Sequence, residues 1–154
     1  METEREVTAA TPTISTQDSA LSHLVSCANL GASMVVTLVV GGQVVAGELV
    51  SGKEYALSTA QAIRSVAGDE DIKNPIATFF DQLAEDYRVD DEHEIPLNYL
   101  HIKDPSWMTG NGGWTSVKGT ILRVHIAKVS GFSLGKAKKR VNKKTGPQKK
   151  APFL

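Results

Sequence analysis

The sequence predicts an α+β domain with a mostly antiparallel four-stranded sheet, and three observations carry that prediction. A Val-rich stretch, Ser33–Ser51, is interrupted by Gly41 and Gly42, the signature of a hairpin whose tight turn needs positive φ. Two later runs, around 97–103 and 116–129, alternate apolar and polar residues with the period of a strand. Amphipathic segments with helical spacing precede the hairpin and separate it from the later runs. The order is α-β-β-α-α-β-β, with the helices expected on one face of the sheet and a disordered basic tail after it.

Each element has its own justification. The first helix is expected over Ser15–Gly31, capped by Ser15 or Thr16, with Leu21, Leu24, Val25 and Ala28 forming the apolar stripe and Gly31 closing it. Strands are expected near 33–40 and 43–50, and their scarcity of polar alternation suggests cover on both faces, or one face used for contact. A second helix starts after the potential cap Ser51, with Tyr55, Leu57, Ile63 and Val66 as its apolar positions. A third is expected with Asn74 as cap and Pro75 at the first helical position, turning Ile76, Phe79, Phe80 and Leu83 inward. After Pro96 a third strand places Leu100 and Ile102 on one face and Tyr99, His101 and Lys103 on the other. The Gly-rich stretch Pro105–Trp114 reads as a loop leading to one long fourth strand, 116–129, and the segment 130–136 closes the fold with Phe132 and Leu134.

Length and composition set outer limits. The 154 residues suffice for one core with tails, which divides the chain into a disordered segment 1–15, a single α+β domain 16–136 and a flexible basic tail 137–154. Apolar residues at 41% and charged residues at 22% are those of a soluble globular protein. The single Cys27 excludes an intramolecular disulfide and reads as a small buried helix residue, in keeping with a reducing cytoplasm. The N-terminal residues lack the apolar core of a signal peptide, and the most apolar stretch is too short and too Gly-interrupted to span a membrane.

The formal net charge of zero conceals two opposed blocks. Between Gly68 and Glu94 lie ten acidic residues against Lys73 and Arg88, a local balance of −8. From Lys136 onward come eight basic residues, Lys136, Lys138, Lys139, Arg140, Lys143, Lys144, Lys149 and Lys150, and no acid. Such blocks bind partners of opposite sign, whether nucleic-acid phosphates or acidic protein surfaces.

No catalytic or metal site is expected. Residues 131–135, Gly-Phe-Ser-Leu-Gly, fit the G-x-S-x-G pattern of a hydrolase nucleophile, but no His and no acid follows Ser133 to complete a triad. His101 and His125 sit on neighbouring strands among Lys103 and Arg123, without the third ligand a metal requires, and read as surface residues. Thr109–Gly113 lacks the GK[ST] ending of a phosphate loop. Trp107 and Trp114 bracket that loop, either closing the end of the sheet or displayed as contact anchors. No cofactor is expected. The candidate partner-binding residues are Trp107 and Trp114 with Lys136, Lys138, Lys139, Arg140, Lys143 and Lys144.

Several segments in this order resemble one family. The run Val50–Ser58 after a Val-rich hairpin, Tyr99–Asp104, and Gly119–Lys136 before a lysine-rich tail together resemble the gas vesicle accessory proteins called GvpU. The resemblance implies a cytoplasmic, non-enzymatic protein that supports the assembly, arrangement or clustering of gas vesicles. Its implied partners are gas vesicle structural or accessory proteins and further copies of itself, without membrane insertion. It supplies no catalytic residues. The alternative is a small regulatory protein that binds nucleic acid through the basic tail, which the tail's single Phe153 supports poorly, because base stacking needs interleaved aromatics.

Overall fold

The Val-rich hairpin forms the middle of the sheet. The computed structural model describes residues 17–138, so the segment expected to be disordered at 1–15 and the tail beyond Lys138 lie outside the described residues. Strands β1 (Met34–Val40) and β2 (Gln43–Val50) pair antiparallel with Val40 opposite Gln43. Gly41 and Gly42 turn between them at φ of 57° and 76°, a geometry that side chains resist. Strand β3 (Tyr99–Met108) pairs with β2, setting Leu49 opposite Ile102 and Val45 opposite Trp107, with a shift in register between Ala46 and Glu48. Gly47 lies within that shift, where a Cβ would collide with the Ile102 side chain and the Lys103 carbonyl.

The sheet has six strands, not four, and two local features make the difference. The long fourth strand is broken into β4 (Trp114–Ser116) and β5 (Ile121–His125), both paired with β3. At the break Asp104 adopts a φ of 50°, its carboxylate accepts from the Gly119 amide at 2.7 Å, and its own amide donates to the Thr120 carbonyl at 2.9 Å. A short 3-10 turn, Ile126–Lys128, then redirects the chain across the fold, so that β6 (Val129–Leu134) pairs with β1 instead of continuing beside β3. The path is β4-β3-β2-β1-β6, with β5 alongside β4 on β3. The stretch expected as a loop from Pro105 is strand as far as Met108, and only Thr109–Gly113 turns.

The helices divide between the two faces, against the expectation of one. Helix α1 (Ser19–Asn29) starts at Asp18, whose carboxylate accepts from the amides of Ala20 and Leu21, so the cap is Asp18 and not Ser15 or Thr16. Its Leu21, Val25 and Ala28 join Val36, Leu38, Val45, Leu49, Leu100 and Ile102 in one buried cluster. Full burial of each Val, Leu or Ile side chain there contributes about 1.5–3 kcal/mol. Cys27 is half-buried, not buried, 3.8 Å from His23 Nε2. Helices α2 (Gly52–Ser65) and α3 (Glu70–Glu85) pack on the opposite face, where Tyr55 of α2 stacks on His101. Strands with apolar residues at both parities leave two faces to cover, and a sheet with both faces covered needs helices on both sides.

Helix α3 also starts earlier than expected. Asp69 caps it by accepting from the Asp71 amide at 2.9 Å, and Glu70 and Asp71 place negative charge on the first turn. Asn74 is therefore interior, and Pro75 lies within the helix, where its nitrogen has no hydrogen to donate and its ring crowds the carbonyl four residues back. Small residues, Gly52, Ala56 and Ala60 of α2 with Ala77 and Ala84 of α3, are the buried positions of this helical hairpin. The Tyr87 ring occupies the space where Gly52 has no side chain.

Candidate functional site

Three regions held sequence candidates, and the structure separates them. The histidines come first. His101 is buried, 1% exposed, between the rings of Tyr55 at 4.6 Å and Tyr87 at 5.8 Å, and is not a surface residue. Arg123, its partner across β3 and β5, donates to His101 Nε2 at 3.3 Å and lies over the Tyr99 ring at 4.0 Å. Burial, reinforced by that guanidinium, pushes the His101 pKa down to about 3, so the ring is neutral at physiological pH. His125 is exposed, opposite Tyr99, with Nδ1 accepting from the Ala127 amide at 3.2 Å. Among the described residues no group of three or more His, Cys, Asp or Glu is placed to hold a metal ion. The cluster fastens α2 to the sheet, helped by the 2.8 Å ion pair between Glu54 and Lys103.

Ser133 lies inside β6 opposite Thr37. Its backbone is a strand at the sheet edge, without the sharp strand-to-helix turn that exposes a hydrolase nucleophile.

The tryptophans do not form one surface. Trp107 faces the α1 side and packs partly buried against the core cluster, at the floor of a cleft of about 370 Å³ with Val40, Val45, Leu122 and Val124. Trp114 follows after the turn and pairs with Met108, one residue out of phase, which turns it to the opposite face. There it meets the start of the basic tail. Gly135, at φ 82°, donates to the Val35 carbonyl at 2.7 Å and accepts from Thr37 Oγ1 at 2.6 Å. The next residues cross the sheet face. Lys136 Nζ donates to Ser106 Oγ at 3.0 Å and sits 5.0 Å from the Trp114 ring centroid, and Trp114 Nε1 donates to the Ala137 carbonyl at 2.9 Å. Of the predicted tail residues, Lys136 is thus anchored and Lys138 is exposed, while Lys139, Arg140, Lys143 and Lys144 lie outside the described residues.

The outward face of α3 was missed by sequence reasoning. Ile76 and Phe79, expected to point inward, are 46% and 60% exposed, and Ile72 is 62% exposed. Their i, i+4, i+7 spacing lines them along one stripe, because Ala77 and Ala84 take the buried side instead. Phe80 and Leu83 are half-buried, Phe80 meeting Tyr55 edge-on at 6.2 Å. The signal was the Gly-Ala-Ala spacing of α2, which selects small residues, not large ones, as the contact side of its neighbour. At about 100° per residue the α3 carboxylates fall to the sides of the helix away from the stripe, Asp81 and Glu70 toward α2. Arg64 pairs with Asp81, whose pKa that hydrogen bond lowers, and Lys73 pairs with Glu70 at 3.0 Å. Asp71, Glu85 and Asp86 form no ion pair among the described residues. The result is an exposed apolar stripe on a helix whose other sides carry net negative charge. No helix among the described residues is long and apolar enough to cross a membrane.

Residues 18–137 match a family model described as "Gas vesicle protein GvpU-like", a span that takes in all three helices and all six strands. No curated protein and no solved structure matches the chain.

Proposed function

The chain belongs to the GvpU-like family of gas vesicle proteins, and we propose that it is a non-enzymatic accessory protein that arranges or clusters gas vesicles. It does so by contacting vesicle proteins and by associating with its own copies, in the cytoplasm where the vesicles lie. The observation that supports this reading is the uncovered α3 face, with Ile72, Ile76 and Phe79 exposed on a net acidic helix, on a chain whose other charged block is basic. Large apolar side chains exposed in line on one helix are uncommon unless something covers them. Two complementary surfaces on one small domain suit a linker between large particles, since weak contacts repeated over a vesicle surface multiply through effective concentration. The basic residues Lys136, Lys138, Lys139, Arg140, Lys143 and Lys144, rooted at Trp114, supply the cationic side of that contact, and Trp107 at its cleft is a second anchor.

Flotation tests the proposal. Purified protein mixed with isolated gas vesicles should rise with them on low-speed centrifugation, and the floated vesicles should form larger clusters by light scattering. Protein that remains below the vesicle layer at every salt concentration would overturn it. If that same protein retarded duplex DNA at physiological salt, the nucleic-acid reading would take its place.

A further inference from the structure

We propose that the outer face of α3 docks segment 139–154 of a second copy of this chain. The inference rests on the self-association proposed above and names the two surfaces that meet. The α3 face offers Ile72, Ile76 and Phe79 as an apolar line about 10 Å long, from the helical rise of about 1.5 Å per residue. The helix that carries it is net acidic, with Glu70, Asp71, Asp81 and Glu85 against Lys73. Segment 139–154 carries six basic residues and no acid, and closes with the apolar run Ala151–Leu154. Its chemistry therefore mirrors the α3 face in both respects, cation to carboxylate and apolar to apolar. The block containing α3 has a balance of −8, which the six bases of segment 139–154 offset in large part.

The position of the segment's root permits contact between molecules. Residues 136 and 137 are pinned on the sheet by Trp114 and Ser106. From Lys138 an extended chain of 16 residues reaches at most roughly 55 Å, several times the radius of about 15 Å for a domain of this size. A copy that docks its own segment silences both surfaces, whereas docking onto a neighbour leaves one segment and one α3 face free at the ends of each pair. That is a head-to-tail contact, which extends into chains or rings. Single exposed ion pairs are weak, so the apolar anchors Phe153 and Leu154 on the α3 stripe decide the specificity.

Photo-crosslinking of the full chain tests this directly. Unlabelled protein with Phe79 replaced by p-benzoylphenylalanine is mixed with an equal amount of nitrogen-15-labelled wild-type protein and irradiated. The crosslinks should run from position 79 to segment 139–154, and about half should carry a labelled segment. Crosslinks confined to the unlabelled chain's own segment, to another α3 or to the cleft at Trp107 would each overturn the proposal. Phe153→Asp combined with Leu154→Asp, both outside the described fold, should lower the crosslink yield at least tenfold, and an unchanged yield would also overturn it. Flotation of the same samples keeps the two inferences apart: protein that floats with vesicles but fails to crosslink defeats only this one.

Discussion

Trp114 Nε1 donates a 2.9 Å hydrogen bond to the carbonyl of Ala137, so the basic tail starts from a fixed point on the sheet. The hydrogen bond contributes about 0.5–1.5 kcal/mol and the Lys136 ammonium over the ring about 0.5–1 kcal/mol. Trp114→Ala should therefore speed amide exchange at Gly135 by about 5–30-fold, and Trp114→Phe, which keeps an aromatic face, by less. Unchanged exchange in Trp114→Ala would mean that the Val35 and Thr37 contacts hold the segment alone.

Stability should fall on acidification before the carboxylates titrate. His101 has a pKa near 3 in the fold and about 6.5 when unfolded, so the unfolded chain binds the extra proton. The contribution is fully present above about pH 6.5 and is lost as pH falls toward 3, at up to about 1.4 kcal/mol per unit. Urea midpoints between pH 7 and 5 should show this slope in the wild type. His101→Phe keeps a flat ring between Tyr55 and Tyr87 and should flatten the slope. An equal slope in both proteins would assign the pH dependence to other groups.

Gly52→Ala tests the seat of the helical hairpin. A methyl at that position would overlap the Tyr87 ring. The substitution should cost about 1–3 kcal/mol, as overpacked cores do. Combining it with Tyr87→Leu should cost less than the sum of the two single changes, measured by chemical denaturation.

The edge strand gives a contrast between neighbours. Phe132 packs partly buried against the core, so Phe132→Ala should cost about 1–2 kcal/mol, less than for a fully buried ring. Exposed Ser133 should tolerate alanine within about 0.5 kcal/mol. Esterase activity present in the wild type and absent from Ser133→Ala would contradict the strand geometry.

Clustering should respond to charge and to salt. Replacing the lysines of 136–154 with glutamate should leave the domain folded and disperse vesicles, and reversing the acidic 68–94 block should do the same. Reversing both should partly restore clusters. Since the Debye length shrinks from about 8 Å at physiological salt to about 3 Å at 1 M, high salt should loosen them. Light scattering that is indifferent to all of these changes would leave apolar contact as the only link.

What the sequence determined by itself was local. The Gly41–Gly42 hairpin, the Ser51 cap and the facing of Leu100 and Ile102 away from His101 follow from turn chemistry, capping and two-residue periodicity, which act within a few residues. The family was legible for a similar reason, because it lies in the residues themselves. Tertiary structure decided whatever depends on a distant neighbour. Asp104 split the last long strand by reaching Gly119, and β6 left β3 for the free edge of β1, neither of which a periodicity can record. His101 read as a surface residue because its own strand alternates; Tyr55 and Tyr87, far away in the chain, bury it. Ile76 and Phe79 on α3 read as core by the same logic, until the small residues of α2 drew Ala77 and Ala84 inward and left them outside. A side chain's hydrophobicity states what its burial would contribute; which side of a helix is buried depends on the shape of the surface it meets.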